Sequence, residues 1–195
     1  TRDGTGTLAA PLTPGLSQGR VGWWPVGNPG ERAERGHTRG AAWRHAVGPV
    51  RRDVALAIDY GHVRDARPPL GTLTGYASGH QVRSIPDGRC DITAHVAVDA
   101  VARAGRQDDA ETIVTRQCDA LRALGIRGGR PSIELAHSDP AEYLRSLVET
   151  SHRAELTDPS GLGNFWWIAQ PVGLSEASQK RLAQCLGTAA GPARI

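Results

Sequence analysis

Val54-Ala-Leu-Ala-Ile-Asp-Tyr-Gly-His62 is a short apolar run that stops abruptly at a carboxylate, a phenol, a glycine and an imidazole. A run of this length with polar neighbours is typical of a strand buried on both faces, as in a parallel sheet. In open α/β sheets, ligands bind just beyond the carboxyl ends of the strands. Because Asp59, Tyr60, Gly61 and His62 stand at that point, the sequence predicts an enzyme site there.

The composition sets the broad class of the protein. A chain of 195 residues forms one large domain or two small ones, and an apolar fraction of 39% suffices for a core. No apolar run reaches the roughly 18 residues that a membrane-spanning helix needs, so we expect no membrane partner. The net charge is +3, but the basic residues are nearly all arginines scattered among acidic ones, which argues against a nucleic-acid partner.

Three widely spaced cysteines, Cys90, Cys118 and Cys185, bear on the cellular compartment. Disulfide frameworks and zinc knuckles need paired spacings, and none occurs here. We therefore expect reduced, mostly buried thiols and a cytoplasmic protein.

The chain divides into two stretches. Residues 1–36 are rich in Gly, Pro, Thr and Arg and are predicted to be irregular, whereas residues 37–195 show the periodicity of an α/β domain. Thr5-Gly-Thr-Leu8 is rejected as a nucleotide-binding loop, because no strand precedes it and prolines follow it. The chain begins at Thr1 and contains no Met, so we interpret it as a piece of a longer protein.

Three strands separated by helices are predicted. The strands are Val54–Tyr60, Glu111–Gln117 and Phe165–Gln170, the last of them ended by Pro171. We expect all three to lie in one sheet that the intervening helices cover. Typical sheets have about four to six strands, so further strands are expected in the sequence before Thr1.

Capping residues and apolar periodicity predict the helices. The predicted helix starts are Thr38, Asp99, Asp139 and Ser175, and the predicted stops are Pro49, Gly125 and Gly187. The side chains expected to face inward are Cys118, Leu121, Leu124, Tyr143, Leu144, Leu147, Val148, Leu182, Cys185 and Leu186.

The section from Gly61 to Val96 carries many Gly and Pro residues and is predicted to be a long irregular loop. A loop this long inside a domain is usually functional or disordered, and the apolar residues within it favour an ordered, functional loop. The loop leaves and returns at one edge of the sheet, so we expect its polar residues to converge with Asp59 and Tyr60 on one cleft. Those polar residues are Thr72, Tyr76, His80, Asp91, Thr93 and His95.

Several strings of residues together resemble a known family. They are W-W-P-V-G-N-P-G-E-R-A-E from Trp23, V-A-L-A-I-D-Y-G-H from Val54, G-T-L-T-G-Y-A-S-G-H from Gly71, P-D-G-R-C-D-I-T-A-H-V from Pro86, T-R-Q-C-D-A-L-R-A-L-G-I from Thr115 and L-T-D-P-S-G-L-G-N-F-W-W-I-A-Q from Leu156. In this order they resemble the C-terminal half of the MidA family. That family comprises class I S-adenosylmethionine-dependent methyltransferases, whose mitochondrial members assist the assembly of respiratory complex I.

This resemblance implies a fold, a cofactor and an activity. The implied fold is α/β, the C-terminal part of a doubly wound, Rossmann-like methyltransferase sheet with inserted helices. The implied cofactor is S-adenosylmethionine. The family's glycine-rich cofactor loop and its ribose-binding acidic residue have no match here, so no cofactor-binding residue is assigned and tight cofactor binding by this chain alone is not expected. Ala97 and Val98 also stand where the family tends to have an acidic residue and an aromatic one.

Methyl transfer to a side chain sets its own demands on the residues. It is an in-line displacement that needs a nucleophile about 3 to 3.5 Å from the methyl carbon. If the nucleophile is a guanidinium or ammonium nitrogen, a carboxylate such as Asp59 must orient it and tolerate its charge. Tyr60 can stack on a planar cation, Gly61 allows close backbone approach, and histidines can accept a proton near neutral pH. Each of these residues also has a structural interpretation as a cap, a packing residue or a hydrogen-bonding partner.

The candidate site residues follow from these demands. Candidate catalytic residues are Asp59, Tyr60, His80, Asp91 and His95, and candidate substrate-binding residues are Gly61, His62, Thr72, Tyr76 and Thr93. No metal is expected, since no ligand spacing such as H-x-x-x-H occurs.

Two function classes stay open. The first is a methyltransferase acting on a protein side chain such as arginine, present here without its cofactor-binding half. The second is a non-catalytic assembly or interaction module, a truncated or inactive relative of such an enzyme. The sequence upstream of Thr1 separates them, because a strand followed by a G-x-G loop there supports the enzyme.

Overall fold

The computed structural model describes residues 36–68, 70–106 and 110–187. The helices, in chain order, are α1 (His37–Val47), α2 (Val98–Gly105), α3 (Gln117–Ala123), α4 (Ile133–Ser138), α5 (Pro140–Thr157) and α6 (Glu176–Cys185). The strands are β1 (Asp53–Asp59), β2 (Gly61–His62), β3 (Thr74–Ala77), β4 (His80–Val82), β5 (Asp91–Thr93), β6 (Val96–Ala97), β7 (Ile113–Arg116) and β8 (Trp166–Val172). The predicted irregular segment 1–36 lies outside the described residues except for Gly36, so that boundary stays a prediction.

A three-stranded sheet in the order β1-β8-β7 forms the centre of this mixed α/β fold. The prediction that these three strands share a sheet is confirmed. The expectation of a parallel sheet is wrong for its middle strand, because β8 is antiparallel to both neighbours. β1 and β7 run in the same direction, and their last residues, Asp59 and Arg116, both pair with Trp166.

The prediction that β1 is buried on both faces is wrong. Leu56 is 45% exposed and Ile58 is 44% exposed. Ala57 points to the opposite face and packs into a cluster with Trp43 and Val98, between the sheet and helices α1 and α2. β1 pairs with β8 on one side, and among the described residues no strand pairs with its other edge.

The sequence predicted that Pro171 ends the last strand, and this is wrong. Pro171 lies within β8, which continues to Val172. Proline lacks an N–H group and is normally excluded from central strands. Here β7 pairs with β8 no further than Ala169, so at Pro171 the strand has a neighbour only on the β1 side. The missing N–H therefore interrupts no ladder on the β7 side.

The core lies on both faces of the central sheet. On one face, Ile113 and Trp167 pack against Leu121 of α3 and Leu186, which follows α6. On the other face, the cluster of Val98, Val101 and Ile168 joins the sheet to α2. The central sheet is thus covered by helices on two sides, as the alternation of strands and helices predicts.

Two of the four predicted helix starts are confirmed, and two are wrong. The side chains of Asp139 and Ser175 accept hydrogen bonds from the backbone N–H groups of Glu142 and Ser178. Thr38 instead lies inside α1, which begins after Gly36. Asp99 lies in the first turn of α2, where it forms a buried ion pair rather than a cap.

Four residues predicted to face inward are exposed. They are Leu124, Leu144, Val148 and Cys185. The helix α5 packs against α3 and α4 rather than directly on the sheet, so only a narrow stripe of it is covered. The three cysteines are free thiols, and only Cys118 is buried, which corrects the expectation of mostly buried thiols.

The section from Gly61 to Val96 is ordered over its described residues, as predicted, but it contains short strands that an irregular loop would lack. It contains a small antiparallel sheet in the order β4-β3-β5, and β2 pairs in parallel with β6. The β3–β4 turn consists of Ser78 with φ 51° and Gly79 with φ 76°. Two central residues with positive φ match the twist of a two-residue hairpin, and Ser-Gly is the sequence signal for it.

Within the described ranges, no helix has both the length and the apolar content needed to cross a lipid bilayer.

Replacing Gly105 with alanine is expected to lower the free energy of unfolding by about 1–3 kcal/mol. A Cβ atom at this position would lie 2.5 Å from Cδ1 of Trp43, which closes α1 against α2. The sign is informative, because glycine to alanine in a helix otherwise stabilises it by up to about 1 kcal/mol. Gly129→Ala is the control, since nothing lies within 4 Å of its Cβ position. Urea denaturation followed by circular dichroism measures the free energies of unfolding. Equal values for Gly105→Ala, Gly129→Ala and the parent would contradict the prediction.

Candidate functional site

Tyr60, directly after β1, stands at the centre of a cluster of polar and aromatic side chains. Its hydroxyl forms a hydrogen bond with the Thr93 hydroxyl. Its ring meets His95 edge-on at a centroid distance of 5.2 Å and Phe165 at 5.8 Å. The carboxyl end of β1, the end of β5 and the start of β8 therefore meet at this tyrosine.

His95 is held by its backbone and presents its ring to solvent. Its N–H donates to the Thr72 hydroxyl at 2.8 Å, and its carbonyl accepts from Nη1 of Arg39 at 2.8 Å. The next residue, Val96, donates its N–H to the Tyr60 carbonyl at 3.0 Å. The imidazole of His95 is therefore fixed beside Tyr60 while the residue stays exposed.

His62 is buried and serves the packing of the chain. Only 5% of it is exposed, and its Nδ1 lies 2.9 Å from the Val96 carbonyl oxygen. A carbonyl only accepts hydrogen bonds, so Nδ1 carries the hydrogen in this contact. The His62 ring lies 6.4 Å from that of His95, which makes it a support behind the exposed histidine.

Gly61 is required by close packing of the chain against itself. A Cβ atom there would lie 2.7 Å from Cγ2 of Val98 and closer still to the Val96 carbonyl oxygen. A glycine is therefore needed at this position for β2 to pair with β6.

The small sheet divides the remaining candidates between its two faces. Tyr76 pairs with Asp91, and Thr93 lies two residues further along the same strand, so these three side chains share one face. That face continues into the cluster through the contact between Thr93 and Tyr60. His80 pairs with Ala77, which places it on the opposite face.

Asp59 stands at the mouth of a cleft of about 440 Å³ between α1, β1 and α2. The walls are mainly apolar, with Trp43, Ala57 and Val101 among them, and Arg39 lies at the mouth with Asp59. Oδ1 of Asp59 accepts a hydrogen bond from the Tyr60 N–H at 2.8 Å. Asp59 is exposed, and this hydrogen bond ties its carboxylate to the backbone of Tyr60.

Sequence reasoning missed a row of three side chains across the sheet. Asp59, Trp166 and Arg116 are in register on adjacent strands and point to the same face. The Arg116 guanidinium carbon lies 3.6 Å from the Trp166 ring centroid, and the indole N–H donates to the Gly61 carbonyl at 3.1 Å. Burial lowers the pKa of Arg116, and the nearby Cys118 and Asp119 oppose that shift. No local pattern signals this row, because it depends on the register of three strands distant in sequence.

A buried ion pair anchors the chain after β2. Nη2 of Arg67 lies 2.8 Å from one carboxylate oxygen of Asp99 and 2.6 Å from the other. The exposed fractions of the two side chains are 1% and 3%. Burial lowers the pKa of Arg67, and the Asp99 carboxylate raises it. The pair joins the segment leaving the site to the first turn of α2.

In the part of the chain that the structure describes, no group of three or more His, Cys, Asp or Glu residues is arranged to hold a metal ion.

A family model described as "Putative S-adenosyl-L-methionine-dependent methyltransferase" matches residues 15–115 of the chain. All ten candidate residues lie inside this range. A search of curated proteins finds no significant match.

Two solved structures from Burkholderia thailandensis are similar to this chain. An uncharacterized protein shares 27% identity with a TM-score of 0.57, over 72% of this chain and 38% of its own. A second, bound to S-adenosyl-homocysteine, shares 25% identity with a TM-score of 0.61, over 76% of this chain and 39% of its own. The chain thus spans well under half the length of either structure.

Replacing Asp99 with alanine is expected to cost about 3–5 kcal/mol of stability, because it leaves the Arg67 guanidinium buried without its carboxylate. The double variant Arg67→Met, Asp99→Leu is expected to recover most of that loss, since it removes both charges. Arg145→Ala breaks the exposed pair with Glu142 and is the control, with an expected change below about 1 kcal/mol. Urea unfolding midpoints measure all three. A double variant no more stable than Asp99→Ala would contradict the interpretation.

Proposed function

The chain belongs to the methyltransferase family whose model matches residues 15–115, and from this premise we propose that it supplies the acceptor side of an S-adenosylmethionine-dependent methyltransferase. The proposed acceptor is a protein side chain such as arginine, and the proposed kinship within the family is with the MidA group. The observation that carries the proposal is the position of Asp59, an exposed carboxylate at the end of β1 beside the Tyr60 cluster. The similar structure bound to S-adenosyl-homocysteine supports the cofactor class.

The geometry suits a cationic acceptor. A guanidinium has planar N–H donors that match a carboxylate, so Asp59 would orient it. The aromatic ring of Tyr60 would support its flat face. The exposed imidazole of His95, 5.2 Å from the Tyr60 ring, would take the proton that the acceptor nitrogen loses. His62 and Gly61 would act as supports, and Tyr76 with Asp91 would extend the acceptor surface along the small sheet.

The proposed fold is the C-terminal part of a doubly wound, Rossmann-like sheet. Its support is the open edge of β1, where Leu56 and Ile58 are exposed and no described strand pairs. A seven-residue edge strand with exposed apolar side chains is a site for pairing with another strand.

The described residues do not by themselves fit S-adenosylmethionine. Nucleotide-type cofactors are held by a glycine-rich turn between a strand and a helix N-terminus, and β1 runs directly into β2 instead. The space at Gly61 is filled by Val96 and Val98 of the same chain. We therefore propose that the cofactor is bound by polypeptide other than this 195-residue chain.

A non-catalytic assembly module is the second candidate. The exposed apolar side chains of Leu144 and Val148, one turn apart on α5, favour it, because such a pair can serve a protein contact. The upstream coding sequence separates the two candidates. A strand followed by a glycine-rich loop in the same reading frame supports the enzyme, and its absence supports the module.

Isothermal titration of the 195-residue chain with S-adenosylmethionine is expected to show no binding in the low micromolar range. The physical reason is that β1 ends without a glycine-rich turn and helix. A dissociation constant near 1 μM, about −8 kcal/mol, would contradict the assignment of the cofactor to other polypeptide.

If the upstream coding sequence supplies the strand and glycine-rich loop, Asp59→Asn in that polypeptide is expected to lower kcat for methyl transfer by about 10²-fold or more, because the amide cannot balance the charge of the acceptor. Asp53→Asn is the matched control. Asp53 and Asp59 are the two exposed ends of β1, and each accepts a hydrogen bond from the next residue's N–H, at 2.7 and 2.8 Å. Transfer of a labelled methyl group to protein measures the rates. An Asp59→Asn enzyme with full turnover and an intact fold would exclude the proposed role.

A further inference from the structure

We propose that Trp166 and Arg116 are positioning residues, which fix the peptide of Gly61 and thereby aim Asp59 and Tyr60. The inference rests on the proposed function only in taking Asp59 and Tyr60 as the acceptor-binding residues. Neither Trp166 nor Arg116 belongs to the loop that carries the other candidates. Both belong to the central sheet, where Arg116 at the end of β7 pairs with Trp166 at the start of β8.

The hydrogen bond from the Trp166 indole to the Gly61 carbonyl is the direct link. The donor and acceptor are 3.1 Å apart and belong to residues separated by 105 positions in the sequence. Trp166 opens β8, the middle strand of the central sheet, so the donor is mounted on a strand paired on both sides. Gly61 opens β2, a strand of only two residues. We therefore expect Trp166, on the well-paired strand β8, to orient the Gly61 carbonyl on the short strand β2.

Arg116 holds the indole in the orientation that this hydrogen bond needs. Its guanidinium carbon lies 3.6 Å from the centroid of the Trp166 ring. Its Nη1 donates to the Asn164 carbonyl at 2.6 Å, which fixes the guanidinium in place. A planar guanidinium stacked on an aromatic face restricts the rotation of both groups.

Gly61 is constrained from the opposite side as well. Its α-carbon packs so closely on Val96 and Val98 that no side chain fits. With its carbonyl held by Trp166, the peptide between Gly61 and His62 has little freedom to turn. Because Asp59 and Tyr60 precede it directly, the direction of the chain at their positions is set by this peptide.

The neighbouring Trp167 provides a matched control within the same strand. Its indole N–H also makes a hydrogen bond of 3.1 Å, to Oε1 of Gln117. It points to the other face of the sheet, into the core beside α3, because successive strand residues alternate. Each of the variants Trp166→Phe and Trp167→Phe thus removes one indole N–H donor. The first donor binds the Gly61 carbonyl at the site, and the second binds Gln117 on the other face of the sheet.

Amide hydrogen exchange of the 195-residue chain tests the proposal without any activity assay. Trp166→Phe is expected to speed exchange of the Gly61 and His62 amides at least tenfold, and Trp167→Phe is expected to leave those two amides unchanged. Arg116→Met keeps the indole donor and is expected to speed the same amides by a smaller factor, which covers the case in which Trp166→Phe fails to fold. Unchanged exchange in both Trp166→Phe and Arg116→Met, or equal acceleration by Trp167→Phe, would overturn the proposal.

If the upstream coding sequence supplies the cofactor-binding part, kinetics of that polypeptide provide a second readout. Trp166→Phe is expected to lower kcat at least tenfold with a change in KM below threefold. The reason is that Asp59 and Tyr60 still contact the acceptor but no longer hold the orientation that methyl transfer needs. Trp167→Phe is expected to change neither constant by more than threefold. If Asp59→Asn leaves turnover intact, the proposed function fails while the exchange result still decides the positioning role. If Asp59→Asn lowers turnover but Trp166→Phe does not, the positioning proposal alone is overturned.

Discussion

The site depends on one place of close approach, where Val96 meets the three residues that follow β1. Its N–H donates to the Tyr60 carbonyl, and its carbonyl accepts from His62 Nδ1. Between these two bonds, Gly61 packs against the same backbone with no room for a side chain. A chain that leaves β1 at Asp59 and returns at Val96, 37 residues later, is thus tied at a single residue, and the ring of His95 is placed beside Tyr60 as a consequence.

The buried ion pair of Arg67 and Asp99 secures this contact from behind. Desolvating two charges is costly, and a buried pair is stabilising only when its geometry is good. Here a single Nη2 atom lies within hydrogen-bonding distance of both carboxylate oxygens, and both side chains are almost fully buried. β2 and β6 form a short parallel pair of strands. Because Arg67 follows β2 and Asp99 follows β6, the ion pair holds together the two segments that leave these strands.

The sequence was most informative where the signal was local. The apolar run of β1 and the caps at Asp139 and Ser175 were predicted correctly, since each depends on a few adjacent residues. The antiparallel direction of β8 was not predicted, because strand direction is set by partners distant in sequence. The row of Asp59, Trp166 and Arg116 was missed for the same reason. The Ser78-Gly79 hairpin had a readable signal that was overlooked among the many glycines around it.

The cleft between α1, α2 and the central sheet adjoins the candidate site but differs from it in chemistry. The walls of the cleft are mostly apolar, and its lining includes Ala57 and Val101, so a cation placed inside would lose hydration with few polar partners in return. A cation at the mouth would keep water on one side while meeting the Asp59 carboxylate. The interior instead suits apolar groups, since its lining includes Trp43, Val98 and Ile168. The exposed end of the cleft at Asp59, rather than its apolar interior, is therefore the better fit to the cationic acceptor proposed above.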